Sequence, residues 1–117
     1  MDTLILTNQI ISTIKKEAYN SVYQLMGSDL SKMILYGSCA RGDYHADSDV
    51  DIALITKCDR MTAKKYDDGL DTIATQLAMN YFAIVNFVCL PDDEFSEKKT
   101  WYDYFQNIED NGEVIYG

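Results

Sequence analysis

Apolar residues recur at helical spacing from Asn8 to about Met26, where Ile10, Ile14, Ala18, Val22 and Leu25 share one face. This predicts an amphipathic helix with Thr7 as its N-cap and Gly27 as its stop. The pattern then changes. KMILYG reads as a short buried strand ending at a glycine, and DVDIALIT reads as a second strand that opens with two acids. The segment from Ser38 to Ser48 joins them. A second helix is expected from about Met61 to Met79, capped by Asp59, with Tyr66, Leu70, Ile73 and Leu77 on one face and Gly69 as a weakening residue. FAIVNFVCL, rich in β-branched and aromatic residues and closed by Pro91, is the clearest strand, and Asn86 is its lone polar residue. Beyond it Asp92 or Asp93 can cap a third helix in which Trp101, Phe105 and Ile108 share a face, ended by Asn111-Gly112, and EVIY adds a short edge strand.

The order helix, strand, strand, helix, strand, helix carries no repeat, low-complexity segment or linker. It predicts an α/β sandwich in which helices cover a small mixed sheet, as one domain over residues 1–117.

Composition changes the picture mainly by exclusion. The net charge of −9, from 19 acidic against 10 basic residues, comes without a basic stripe, so direct nucleic acid binding is not expected. An acidic chain that handles phosphates needs a cation to do so. Cys39, Cys58 and Cys89 are odd in number, form no C-x-x-C and accompany a single histidine, which argues against a zinc site or a disulfide framework and suits a reducing cytoplasm. MDTLILTNQI lacks a basic signal-type start, and no segment approaches the roughly 18 apolar residues of a membrane span. A cytoplasmic protein is expected.

Asp49 and Asp51 are the chemically telling pair. Two positions apart in an extended chain, their side chains point to one side of the sheet with Cα atoms roughly 6.6 Å apart. Such a pair repels unless a cation lies between, and Mg²⁺ takes one or two carboxylates together with substrate phosphates. At a strand's frayed start the same acids would serve only as a solvated loop ending. Gly37-Ser38 adds weight, because a glycine after a strand lets backbone N–H groups approach a phosphate and a serine adds a donor, although Gly-Ser is also an ordinary turn. Arg41 can supply positive charge.

Gly37-Ser38, ten residues, then Asp49-Val50-Asp51 resembles the signature of the DNA polymerase β-like nucleotidyltransferases. The text YGSCARGDYHADSDVDIAL is similar to their minimal subgroup, the MNT proteins, and so is the ending YFQNIEDNGEVIYG. The resemblance implies a nucleotidyltransferase fold in which Gly37 and Ser38 hold a triphosphate and Asp49 and Asp51 carry Mg²⁺, with ATP as donor and AMP passed to a hydroxyl. Arg41 is assigned a nucleotide contact from its position. Family members commonly carry a third carboxylate on a later strand, where this chain has Asn86. An amide can offer a carbonyl oxygen to Mg²⁺ but brings neither charge nor a base, and Asp92 or Asp93 is a weaker substitute. His45 reads as an exposed loop residue and Cys39 as a buried filler. Trp101, Tyr102 and Tyr104 are candidate partner contacts.

Proteins of this resemblance often act as antitoxins of HEPN-type toxins, by adenylylation, by contact or by both. Two functions follow: a Mg²⁺-dependent adenylylyltransferase acting on a partner protein, and a binding module of the same fold weakened by Asn86.

Overall fold

The computed structural model describes residues 6–45 and 47–117. The expectations for the first five residues and for Ala46 lie outside them. Helix α1 (Asn8–Met26) begins where Thr7 accepts a hydrogen bond from the Ile10 amide, and it ends at Gly27. Its face of Ile11, Ile14, Ala18, Val22 and Met26 is buried. After a 3₁₀ turn (Gly27–Asp29) come β1 (Leu30–Tyr36), the one-turn helix α2 (Ser38–Arg41) and β2 (Val50–Thr56). The chain continues through α3 (Arg60–Ala63), a 3₁₀ turn (Lys64–Tyr66), α4 (Asp67–Tyr81) and β3 (Val85–Pro91), then α5 (Asp92–Lys98), α6 (Asp103–Asn111) and β4 (Glu113–Tyr116).

The strands form one mixed sheet in the order β3-β2-β1-β4. β1 pairs antiparallel with β2 and β4, and β2 pairs parallel with β3. Side chains alternate between two cores. Leu35, Ile52 and Leu54 pack under α1 and α4, while Ile34, Ala53, Ile55 and Leu90 pack with Phe95, Phe105 and Ile108 from α5 and α6. β2 is buried on both faces, as expected of an inner strand with a parallel neighbour. The predicted fold class, a small mixed sheet covered by helices, is the observed one.

Three local expectations differ. The segment between the first two strands contains α2, which four residues are too few to announce by periodicity. The second helix is broken at residues 64–66, where the chain tightens, turns Tyr66 into the core and lets its hydroxyl donate to Asp29. Gly69 is accounted for by packing: a Cβ there would stand 2.8 Å from the methyls of Leu25 on α1. The third helix is two helices. On one straight helix Phe95 and Phe105 would be about 15 Å apart, yet their rings meet edge to face at 6.0 Å, so the chain turns between them and Trp101 is left 64% exposed.

This division of surface and core has a measurable consequence. Leu54→Ala, at a fully buried position, should lower the unfolding free energy by about 2–5 kcal/mol in urea titration. Met79→Ala, at a position 72% exposed, should change it by less than about 0.5 kcal/mol.

Candidate active site

Strand pairing gathers the site. Tyr36 at the end of β1 lies opposite Asp51, and Asp51 lies opposite Asn86. The end of β1 and the starts of β2 and β3 therefore share one edge of the fold. The Val50 amide donates to the Ile84 carbonyl at 2.8 Å and ties the entries of β2 and β3 together.

Asn86 Nδ2 donates to Asp49 Oδ2 at 3.1 Å and to Asp51 Oδ1 at 3.0 Å. Two carboxylates that would repel each other thus converge on the N–H donors of one amide. The other oxygen of Asp51 lies against Gly37, where a Cβ would stand 2.9 Å from Oδ2. Gly37 also has φ +76°, a left-handed value that side chains disfavour. The glycine is required twice, once by its backbone and once by the carboxylate beside it.

Ser38 follows as the first residue of α2, and the Gly37 carbonyl accepts from the Ala40 and Arg41 amides. Cys39 is buried, and its thiol donates to the Asp49 carbonyl at 3.4 Å. Burial, then the charges of Asp51 and Asp49, holds that thiol above the usual range. Tyr36 and Tyr104 bring their hydroxyls to 3.0 Å from each other. Burial foremost, then the Tyr104 hydrogen bond, with smaller effects of the Tyr104 and Asp51 charges, raises the Tyr36 phenol far above its ordinary value.

Asp49, Asp51, Asn86 and Gly37 are brought together. Arg41 turns toward the exposed Asp43, Nε to Oδ2 at 3.4 Å. His45 is exposed, and its backbone amide donates to Ser48 Oγ. Asp92 and Asp93 begin α5 after the far end of β3. Asp92 is six steps along the chain from Asn86 at about 3.3 Å each, so it and Asp93 stand roughly 20 Å from the acid pair and do not replace a third carboxylate.

The donor set suits a hard cation, which prefers oxygen ligands. Turned end for end, the Asn86 amide offers Oδ1 where Nδ2 now bridges the carboxylates, giving three convergent oxygens. Among the described residues no three His, Cys, Asp or Glu side chains cluster as a metal site. The missed feature is the donor role of Asn86. It had one signal in the sequence: a lone amide in an apolar strand needs a polar partner.

The fold is that of the nucleotidyltransferases. The profile described as "Nucleotidyltransferase domain" matches residues 15–108, and the chain belongs to this family. It is similar to the putative protein adenylyltransferase MJ0604 of Methanocaldococcus jannaschii, 31% identical over 101 residues, covering 86% of this chain and 93% of that protein. The putative protein adenylyltransferase MJ0141 of the same organism is 32% identical over 76 residues, 65% of this chain and 75% of that one. A chain of a toxin–antitoxin structure with AMP-PNP superposes with a TM-score of 0.59 at 20% identity, over 88% of this chain and 73% of that chain. A chain of the tri-AMPylated Shewanella oneidensis HEPN toxin in complex with MNT antitoxin gives 0.55 at 17% identity, over 92% and 72%. At these identities the structural likeness concerns the fold. No helix among the described residues is long and apolar enough to cross a membrane.

Gly37→Ala should cost about 1–3 kcal/mol of stability, read by thermal or urea unfolding. Asp51→Ala/Gly37→Ala should cost less than the sum of the two single changes, because removing the Asp51 carboxylate also removes the atom that a Cβ at position 37 would crowd.

Proposed function

We propose that the chain is a Mg²⁺-dependent adenylylyltransferase that moves AMP from ATP to a hydroxyl of a partner protein, a HEPN-type toxin. The observation that carries this reading is the convergence of Asp49 and Asp51 on one Asn86 atom beside the Gly37 turn. Carboxylates gathered at an accessible sheet end serve phosphoryl chemistry better than stability, because their mutual repulsion opposes folding. The relatives named as protein adenylyltransferases support the acceptor class.

In this reading Asp49 and Asp51 hold the cation, with Asn86 turned to offer its carbonyl oxygen. Gly37 and Ser38 orient the triphosphate, and Arg41 swings from Asp43 to the nucleotide. The bound cation would draw charge from the α-phosphate as it forms and breaks bonds. The acceptor oxygen attacks the α-phosphorus in line, its bond to phosphorus forms as the bond to the pyrophosphate oxygen breaks, and pyrophosphate departs. Position 86 provides no base. The acceptor proton leaves to solvent, which reaches the exposed Asp49.

One observation favours a second reading, a contact antitoxin with feeble chemistry: the Asn86 amide already bridges the acid pair by hydrogen bonds without a cation. Titration calorimetry separates the two. ATP should bind with Mg²⁺ and fail to bind with EDTA or in Asp49→Asn/Asp51→Asn, and binding indifferent to both changes would refute the transferase reading. Loss of these contacts should reduce transfer by about 10²–10³ or more.

Asn86→Asp tests the amide itself. Without metal it removes two hydrogen bonds and adds a third carboxylate, so unfolding should become easier by about 1–3 kcal/mol. Mg²⁺ should then raise the melting temperature of this variant more than that of the parent chain.

A further inference from the structure

Among the described residues β3 is the outermost strand on its side of the sheet, pairing with β2 along Val85 to Pro91 and with no strand beyond. Such an edge displays unpaired N–H and C=O groups that form a template for another extended chain. Residues 85–89 form the floor of a groove of about 520 Å³. Its wall is α3, the 3₁₀ turn that follows it and α4, with Lys64 on the turn and Asp67, Asp71 and Ala74 on α4. One end includes Asn86, the residue that bridges both carboxylates. Met79, Phe82 and Ile84, which lead into that end, are 72%, 72% and 59% exposed.

We infer that this groove seats the acceptor as an added strand on β3: an extended peptide segment with a hydroxyl-bearing residue beside Asn86 and a basic residue three positions away, beside Cys89. The inference rests on the transferase reading. Strand geometry sets the spacing. Asn86 reaches the acids on the side of the sheet where Val88 and Leu90 pack under α5 and α6, whereas Phe87 and Cys89 face the α1–α4 core. Residues three apart on an added strand point to opposite faces and lie about 10 Å apart. The hydroxyl therefore turns to the acids while the basic side chain turns to α4.

Asp67 waits there. It lies close enough to Cys89 to help push that thiol up to about 11, after burial as the main cause. Among the described residues Asp67 and Asp71 have no ion-pair partner, whereas Arg60 on the same wall is paired with Glu94. Two carboxylates against Lys64 favour a cationic occupant. A second copy of this chain does not fit, because its β3 would carry its own α3–α4 wall into the same space.

An array of nonapeptides tests the groove, each with one central Ser, Thr or Tyr and with Lys, Ala or Glu three residues to either side, incubated with Mg²⁺ and α-labelled ATP. Lys peptides should be modified about fivefold faster than Glu peptides, the size of one exposed ion pair. Asp67→Lys/Asp71→Lys should invert that order. Ala74→Trp should fill the groove and abolish peptide labelling while ATP binding persists. Equal labelling of Lys and Glu peptides, or full labelling by Ala74→Trp, would overturn the inference. Hydrogen exchange at residues 85–89 reads seating without chemistry. Unprotected amides in a chain that binds Mg²⁺ and ATP would sink the groove alone, whereas protected amides without ATP binding would sink the transferase reading and keep the groove.

Discussion

The register between β2 and β3 is the constraint on which the site depends. Asp51 must stand opposite Asn86, because only there can one side-chain atom meet both carboxylates at hydrogen-bond distance. A slip of one residue would turn Asp51 to the other face of the sheet and exchange Ile52 and Leu54 with Ala53 and Ile55 between the two cores. The apolar alternation of β2 therefore does two things at once. It buries Ile52 and Leu54 under α1 and α4 and Ala53 and Ile55 under α5 and α6, and in doing so it aims Asp51. The site borrows its precision from packing that lies several residues away.

The same constraint explains why the site sits at the end of the sheet. A carboxylate pair in the middle of β2 would need full desolvation, which costs several kcal/mol per ion even after relaxation. Just ahead of the strand Asp49 stays exposed, and at its second residue Asp51 is half-buried, so the cost is reduced and one amide helps to offset the repulsion. The opposite terminus of β1 supplies Gly37, whose missing side chain leaves room for an Asp51 oxygen. Antiparallel pairing of β1 with β2 and parallel pairing of β2 with β3 bring three chain segments, far apart in sequence, to one edge.

Much of this was legible in the residues. Thr7 and Asp59 cap their helices as their side chains suggest, Gly27 stops α1, and the acids at the head of a strand stand on one side. What escaped had physical causes. A one-turn helix such as α2 has no period to detect, and the break at Lys64–Tyr66 depends on Asp29, a tertiary partner that local spacing does not reveal. The single helix expected after Pro91 failed because Phe95 and Phe105 had to meet in one core. Asn86 was legible as a departure from a carboxylate but not as a donor, since its partners lie 35 and 37 residues away.

The acidity of the chain and the openness of β3 belong together. A strand edge that none of the described strands covers, flanked by Met79, Phe82 and Ile84, invites self-pairing, which natural sheets resist with charge and with obstructing elements. Here Asp67 and Asp71 line the approach and a helical wall narrows it, on a chain whose net charge is −9. Like copies repel one another, while a segment of opposite charge is drawn in. The groove thus stays open for one kind of chain and closed to its own, and it runs to Asn86, where the only polar side chain of β3 touches the acids.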